Sequence, residues 1–333
     1  MLDSSIIESI GQALEKAEKI LVITHIAPDG DAIGSLTATG VALKQISKDY
    51  SLVCDDGLPG RFKYLALADE VETEPDRSIA YDLIISLDCG DTDRMGKAYA
   101  GLPDPVPPVI NIDHHITNTN YGKINVVSAK ANSTTEILYE LLPELGAELT
   151  TDLSTCLLTG LLTDTLGFRT ANVTSQTLRV ASALLDTGLN LFSIMTRAMD
   201  LKDIATLLIW QKGLSNMSLE EGVLWTTISN QERMEAGHNG TSSFGLGNMM
   251  ANVYQARMSA VIMELEDGRV SVGFRSRPPY SVSELATGLG GGGHHQASGC
   301  TIDGPLEQAE ALVVSKSKQA IRMQRTELNA NND

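Results

Sequence analysis

Three short apolar runs, residues 19–24 (KILVIT), 83–87 (LIISL) and 109–112 (VINI), each stop on a histidine or an aspartate. Runs this short and this apolar read as strands buried on both faces. Helical patterns surround them. Ile6, Ile7, Ile10 and Leu14 share one face over residues 5–18, and residues 32–46 read as a second helix. A further strand is expected at 51–54. Strands alternating with helices argue an α/β fold on a doubly wound, mainly parallel sheet. In such sheets ligands collect outside the carboxyl ends of the strands. Those ends are where the runs leave their ionisable residues.

The pattern continues with a helix opened by Ser133 and helices at 150–162 and 174–185. Ser133 and Glu136 make an S-x-x-E capping box. TGLN at 187–190 interrupts the pattern, and residues 192–214 read as a helical connector. A second, smaller α/β unit starts near Gly222. Its strands are expected at 223–229, 260–265 and 270–275, with helices at 281–289 and 305–323 around a glycine run at 290–293. The polar end, residues 326–333, is expected to fray. The organisation is therefore a domain over 1–190, a helical linker over 191–221 and a domain over 222–325. A chain of 333 residues, 42% apolar and 20% charged, has material for two cores.

Net charge is -17, with no basic stripe, which argues against long duplex DNA as a partner. A short anionic substrate stays open, because bound divalent cations reverse the local sign. Cys54, Cys89, Cys156 and Cys300 are scattered without CxxC spacing, as expected of free thiols in a reducing compartment. No span approaches the roughly 20 apolar residues of a membrane helix. The start of the chain is an acidic amphipathic helix rather than a signal peptide. A cytoplasmic protein without a membrane contact is expected.

Five of the six histidines fall in three clusters. His25 leads HIAPDGDAIGS with Asp29 and Asp31, His114 and His115 follow Asp113, and His294 and His295 follow the glycine run. An Asp-Gly-Asp segment is also a common turn, and a lone Asp88 after a strand is also a common cap. Asp113, His114 and His115 in a row are hard to explain by packing. Asp164 closes an apolar helix, where a carboxylate opposes the helix dipole unless a cation lies beside it. Histidine mixed with carboxylate suits Mn, Zn or Fe better than a carboxylate-only set. In the second unit, Gly290–Gly293, His294 and His295 read as a loop of close approach whose N–H groups can cradle phosphate. Arg275 or Arg277 could clamp a phosphate, and one or both could be solvated. His238 reads as a surface histidine. GLGNMM at 245–250 lacks the dinucleotide spacing.

At these residues the chain resembles the DHH phosphoesterase superfamily with a C-terminal DHHA1 domain. HIAPDGDAIGS, LDCGD, DHH and LLTDT are similar to its four metal-site motifs, and GGGHHQASG to its DHHA1 glycine motif. The compact length is similar to the nanoRNase and pAp-phosphatase group. The resemblance implies two divalent ions, manganese in preference to magnesium. One ion would take His25, Asp29 and Asp88; the other would take Asp31, Asp88, His114 and Asp164. It also implies that His115 faces the scissile phosphate and that Asp113 supports the histidines. Arg275, Gly291, Gly292, Gly293, His294 and His295 would hold the nucleotide. The catalytic group is then Asp88, His115 and Asp113.

The expected activity is hydrolysis of very short oligoribonucleotides to mononucleotides, removal of the 3′-phosphate of pAp, or both. Such ions lower the pKa of a water and yield a nucleophile at neutral pH. The second domain would hold the remote nucleotide and so favour short substrates. Three other readings stay open: a cyclic-dinucleotide or linear pApA phosphodiesterase, a pyrophosphatase, and a nucleotide-binding regulator without turnover. A homodimer is the expectation from the resemblance alone.

Overall fold

The computed structural model describes residues 3–237 and 245–330. His238 lies outside the described residues. The chain forms two compact units, Met1–Leu201 and Lys202–Asp333.

In the first unit α1 (Ser4–Lys16) leads into β1 (Ile20–Thr24), α2 (Gly30–Gln45), β2 (Tyr50–Val53), β3 (Val71–Glu72) and β4 (Leu83–Leu87). Then come α3 (Gly96–Ala100), β5 (Val109–Asp113), β6 (Ile124–Val127), α4 (Thr134–Glu144), α5 (Thr151–Asp164), α6 (Ser175–Leu185) and α7 (Leu191–Met195). The six strands make one parallel sheet in the order β3-β2-β1-β4-β5-β6. The chain runs outward from β1 to β3 and returns to β4 on the other side of β1. The carboxyl ends of β1 and β4 are therefore the topological switch point, the usual ligand position in such sheets.

Successive strand residues face opposite ways. Ile20 and Val22 enter the large core with Leu36, Leu138 and Leu157. Leu21 and Ile23 enter a smaller core with Met95 and Ala98. The strands expected at 83–87 and 109–112 are present, the second one residue longer. β3 and β6 were not expected. β3 has two residues, too few for a pattern, and β6 is a mostly half-buried edge strand.

The second unit contains α8 (Ile204–Ser215), β7 (Ser218–Glu220), β8 (Val223–Ile228), α9 (Asn230–Glu235), α10 (Leu246–Ala251) and β9 (Met258–Glu264). It ends with β10 (Val270–Ser276), α11 (Ser283–Thr287), β11 (Gly292–Gly293), β12 (Ala297–Ile302) and α12 (Leu306–Ala330). Its sheet runs β11-β12-β10-β9-β8-β7, with β8 and β9 parallel and the other neighbours antiparallel. One face packs Val272 and Phe274 against Val313 of α12. The other packs Leu224 and Val261 against Ile209 of α8 and Leu246 of α10.

Four local expectations change. The helical connector is broken: a π turn at Thr196–Asp200 ends in extended Leu201, and Asp203 caps a new helix by accepting from Thr206 N. The capping box is half formed. Ser133 Oγ accepts from Glu136 N at 3.0 Å, but the Glu136 carboxylate takes Asn132 N at 2.7 Å instead of the cap N–H. The last helix runs on to Ala330, since no glycine or proline stops it. Two glycines of the run are required by the sheet itself. A Cβ on Gly291 would lie 2.1 Å from the Gly299 carbonyl oxygen, and one on Gly293 would lie 2.6 Å from that of Ala297.

Candidate active site

Each strand end delivers its side chain for a local reason. β1 stops at Thr24, and His25 turns its Nδ1 to within 2.8 Å of the Ile26 carbonyl oxygen. Donation from Nδ1 there leaves Nε2 facing the carboxylates. Asp29 is the N-cap of α2: its Oδ1 accepts from Asp31 N at 2.9 Å and Ala32 N at 3.1 Å. The turn reading therefore holds for Asp29, and the cap leaves its carboxylate on the side of His25. Asp31, in the first turn of α2, is fully buried. Asp88 follows β4 with φ of +60°, a left-handed conformation that aspartate tolerates better than most side chains.

These residues converge. His25 Nε2 lies 3.4 Å from Asp88 Oδ2 and 4.0 Å from Asp29 Oδ1. His114 Nε2 lies 3.2 Å from Asp164 Oδ2, 3.5 Å from Asp88 Oδ1 and 3.9 Å from Asp31 Oδ2. Three sets of donor atoms, each within 4.8 Å, could hold a metal ion: His25 with Asp29 and Asp88, Asp31 with His114 and Asp164, and Asp88 with His114 and His115. Asp88 belongs to the first and third and touches the second through His114.

The electrostatics fit a cation. Burial raises the Asp31 carboxyl well above 3.8, and the charges of Asp88 and Asp164 add to it. Burial, with Asp29 and Asp88 nearby, lifts Asp164 to about 6 against a hydrogen bond from His114. For Asp88, burial acts upward too, but the His25 hydrogen bond and the charges of His114, His25 and His115 hold it below the usual range. Burial disfavours protonated His114, yet Asp164, Asp88 and Asp31 raise it well above 6.5. Crowded, desolvated carboxylates of this kind ionise together only beside added positive charge. Two divalent ions suit that donor set.

His115 points its Nδ1 at Asp113 Oδ1, 2.7 Å away. The same carboxylate accepts from the backbone N–H of His114 at 2.8 Å and His115 at 3.2 Å. Burial opposes protonation of His115, but Asp113 and Asp88 raise it overall.

Other groups complete the site without having been expected. The N-terminus of α4 sits on Asp31: Thr134 N donates to Oδ2 at 2.6 Å, and Thr135 N and Oγ1 donate to Oδ1 at 3.0 and 2.9 Å. Thr134 Oγ1 also donates to Asp88 Oδ1 at 2.9 Å. Asn118 Nδ2 donates to Asp113 Oδ2 at 2.6 Å, and Arg94 Nη2 lies 3.1 Å from His25 Nδ1. The S-x-x-E pattern marked the start of α4, but nothing in it says what the helix end faces.

In the second unit, Arg275 Nε donates to Asn248 Oδ1 at 2.7 Å and Nη1 to the Phe274 carbonyl at 2.8 Å. His294 and His295 are exposed beyond β11, with His295 Nδ1 3.1 Å from Ser281 Oγ. Gly292 has open space where a side chain would go. Arg277 is tied to backbone, donating through Nη2 to the carbonyls of Val253 and Ala256 at 3.1 Å each.

Comparison with known proteins agrees with this geometry. Residues 19–161 match the DHH family N-terminal domain, and residues 226–322 match the DHHA1 domain. A Thermus thermophilus protein named bifunctional oligoribonuclease and PAP phosphatase NrnA is 33% identical, over 94% of this chain and 93% of its own length. The chain belongs to the DHH family. A DHH phosphoesterase is a metal-dependent hydrolase of phosphoester bonds. A Bacillus subtilis protein of the same name as the Thermus relative is 26% identical over 86% of this chain and 90% of its own. The crystal structure of an exopolyphosphatase-related protein from Bacteroides fragilis shares the DHH fold seen here. It has a TM-score of 0.87 at 22% identity and covers 98% of both chains. Among the described residues, no helix is long and apolar enough to cross a membrane.

Proposed function

We propose that this DHH protein hydrolyses very short oligoribonucleotides to mononucleotides and removes the 3′-phosphate of pAp. The observation that carries this reading is the cluster in which Asp88 joins His25 and Asp29 to His114, Asp31 and Asp164. The names of the Thermus and Bacillus relatives support the substrate class. Residues 1–190 act as the catalytic domain and 222–325 as the nucleotide-holding domain, with 191–221 linking them. One ion would be held by His25, Asp29 and Asp88, the other by Asp31, Asp88, His114 and Asp164, with manganese the preferred metal. When bound, the pair supplies Lewis-acid charge and a water of lowered pKa.

The remaining steps belong to the side chains. Asp113 holds Nδ1–H of His115, which turns Nε2 outward. In its doubly protonated form His115 would donate from Nε2 to a phosphoryl oxygen and stabilise the charge that grows on it. The α4 N-terminus fixes Asp31, and Thr134 fixes Asp88, so neither carboxylate reorients during turnover. Arg275, Gly291, Gly292, Gly293, His294 and His295 hold the phosphate or sugar of the nucleotide.

The protein works in the cytoplasm, on small nucleotides rather than long duplex DNA, in keeping with its charge of -17. A homodimer is the proposed assembly, supported by exposed Ile204, Leu207 and Leu208 on α8. The test is a panel of pApA, pAp, RNA two- to five-mers, cyclic di-AMP and pyrophosphate, with Mn and Mg in parallel. Turnover of pApA, short RNA and pAp, faster in Mn, is expected. Preferred phosphate release from pyrophosphate, or binding without turnover in Mn, would reject the proposal.

A further inference from the structure

Arg275 is a half-buried cation in an acidic chain. Acidic residues outnumber basic ones, 42 to 25, and two exposed arginines pair with carboxylates, Arg269 with Asp267 and Arg322 with Glu221. Arg275 does not. Its partners are two neutral oxygens, the side-chain amide of Asn248 and the carbonyl of Phe274. Among the described residues no carboxylate pairs with it. Burial pushes the guanidinium down, with no opposing charge. A sheltered, uncompensated cation costs desolvation energy that an anion from outside would offset.

The bracing leaves donors to spare. A guanidinium carries five N–H groups in a fixed plane. The bonds from Nε and Nη1 occupy two of them and fix the plane, leaving both N–H groups of Nη2 and the second of Nη1. Asn248 sits on α10, and Arg275 sits on β10. Phe274 beside it is fully buried in the opposite core, so the strand cannot easily rotate. Two rigid elements therefore set the direction of the fork. An aspartate at position 248 could make the same bond but would neutralise the cation. The neutral amide orients it and leaves its charge for a ligand.

We propose that Asn248 is a positioning residue for an anion subsite at Arg275, aiming the guanidinium at a nucleotide phosphate without neutralising it. The subsite rests on the nucleotide-hydrolase reading for its choice of ligand. It adds a residue to which that reading gives no role. It also predicts a sign: adding negative charge at 248 is worse than removing the side chain.

The test compares wild type, Asn248→Ala and Asn248→Asp in two measurements. One is kcat and KM for pApA with Mn, and the other is equilibrium affinity for AMP in chelator, where no turnover contributes. Asn248→Asp should raise KM about tenfold or more with kcat within about twofold, and should weaken AMP binding in parallel. Asn248→Ala should lose about threefold in both, because the charge remains and only its direction is lost. On an Arg275→Gln background, Asn248→Asp should have no further effect on either measurement.

Equal losses for the alanine and aspartate variants, additive losses on the Arg275→Gln background, or unchanged AMP affinity would each overturn the assignment. If Asn248→Asp fails to fold by thermal melt, the alanine variant decides, and its unchanged KM and AMP affinity reject the subsite. If wild type does not turn over pApA but AMP affinity still falls in the order wild type, alanine, aspartate, the subsite stands and the hydrolase reading fails.

Discussion

Asp88 carries two demands at one position. Its carboxylate is shared between His25 and His114, and its backbone holds φ at +60°. Few side chains satisfy both, since the left-handed region is costly for all but Gly, Asn and Asp. Asn is therefore the informative replacement. Asp88→Asn should keep the backbone and the melting temperature near wild type while lowering kcat by about 10³-fold, roughly 4 kcal/mol of barrier. Steady-state turnover of pApA beside a thermal melt checks this. Retained activity would reject the joining role. The residue was legible as a candidate because it ends an apolar run. Its backbone strain was not, because φ depends on the chain on both sides of the turn.

At the scale of elements, the site depends on how closely α2 and α5 approach. Gly34 of α2 faces the backbone of α5: a Cβ there would lie 2.7 Å from the Cys156 carbonyl oxygen and 3.1 Å from Gly160 N. Gly160 in turn faces Asp31 Oδ1, which a Cβ would meet at 2.6 Å. This contact sets Asp31 of α2 against Asp164 at the end of α5. Gly34→Ala must push backbone against backbone and should destabilise by about 1–3 kcal/mol, the usual cost of overpacking. Denaturant melts would read it, and an unchanged midpoint would contradict the close approach. Both helices were expected from their apolar spacing. Their pairing was not, because glycine inside a helix reads equally as mild destabilisation or as an interface.

At the scale of the whole molecule, acidity and metal dependence meet in a pH effect. Burial and neighbouring carboxylates raise Asp31 well above 3.8 and Asp164 to about 6. Burial opposes protonation of His114 and His25, but nearby carboxylates raise both above 6.5. In all four the native state holds its proton more tightly than the unfolded chain, so stability falls as pH rises through these values. Asp88 and Asp113 are shifted down, so their contribution is lost only in acid, below about 4. Between pH 6 and 8 the metal-free protein should therefore lose stability, with each kcal/mol worth about 2–4 °C. Manganese should restore more at pH 8 than at pH 6. Calorimetry in chelator and in Mn at both values tests this, and a metal-free melting temperature that rises with pH would contradict it.

The sequence by itself determined the alternation of strands and helices, the strand ends bearing His25, Asp88 and Asp113, and the residue types suited to a pair of ions. Those features are local: apolar period, run length and side-chain chemistry act over a few residues. Only the tertiary structure decided that β1 and β4 lie side by side, that α4 turns its N–H groups onto Asp31, and that Asn248 braces Arg275. Each joins residues far apart in the chain, 103 positions in the case of Thr134 and Asp31. Such contacts depend on how several elements pack at once, and no short stretch of sequence encodes that.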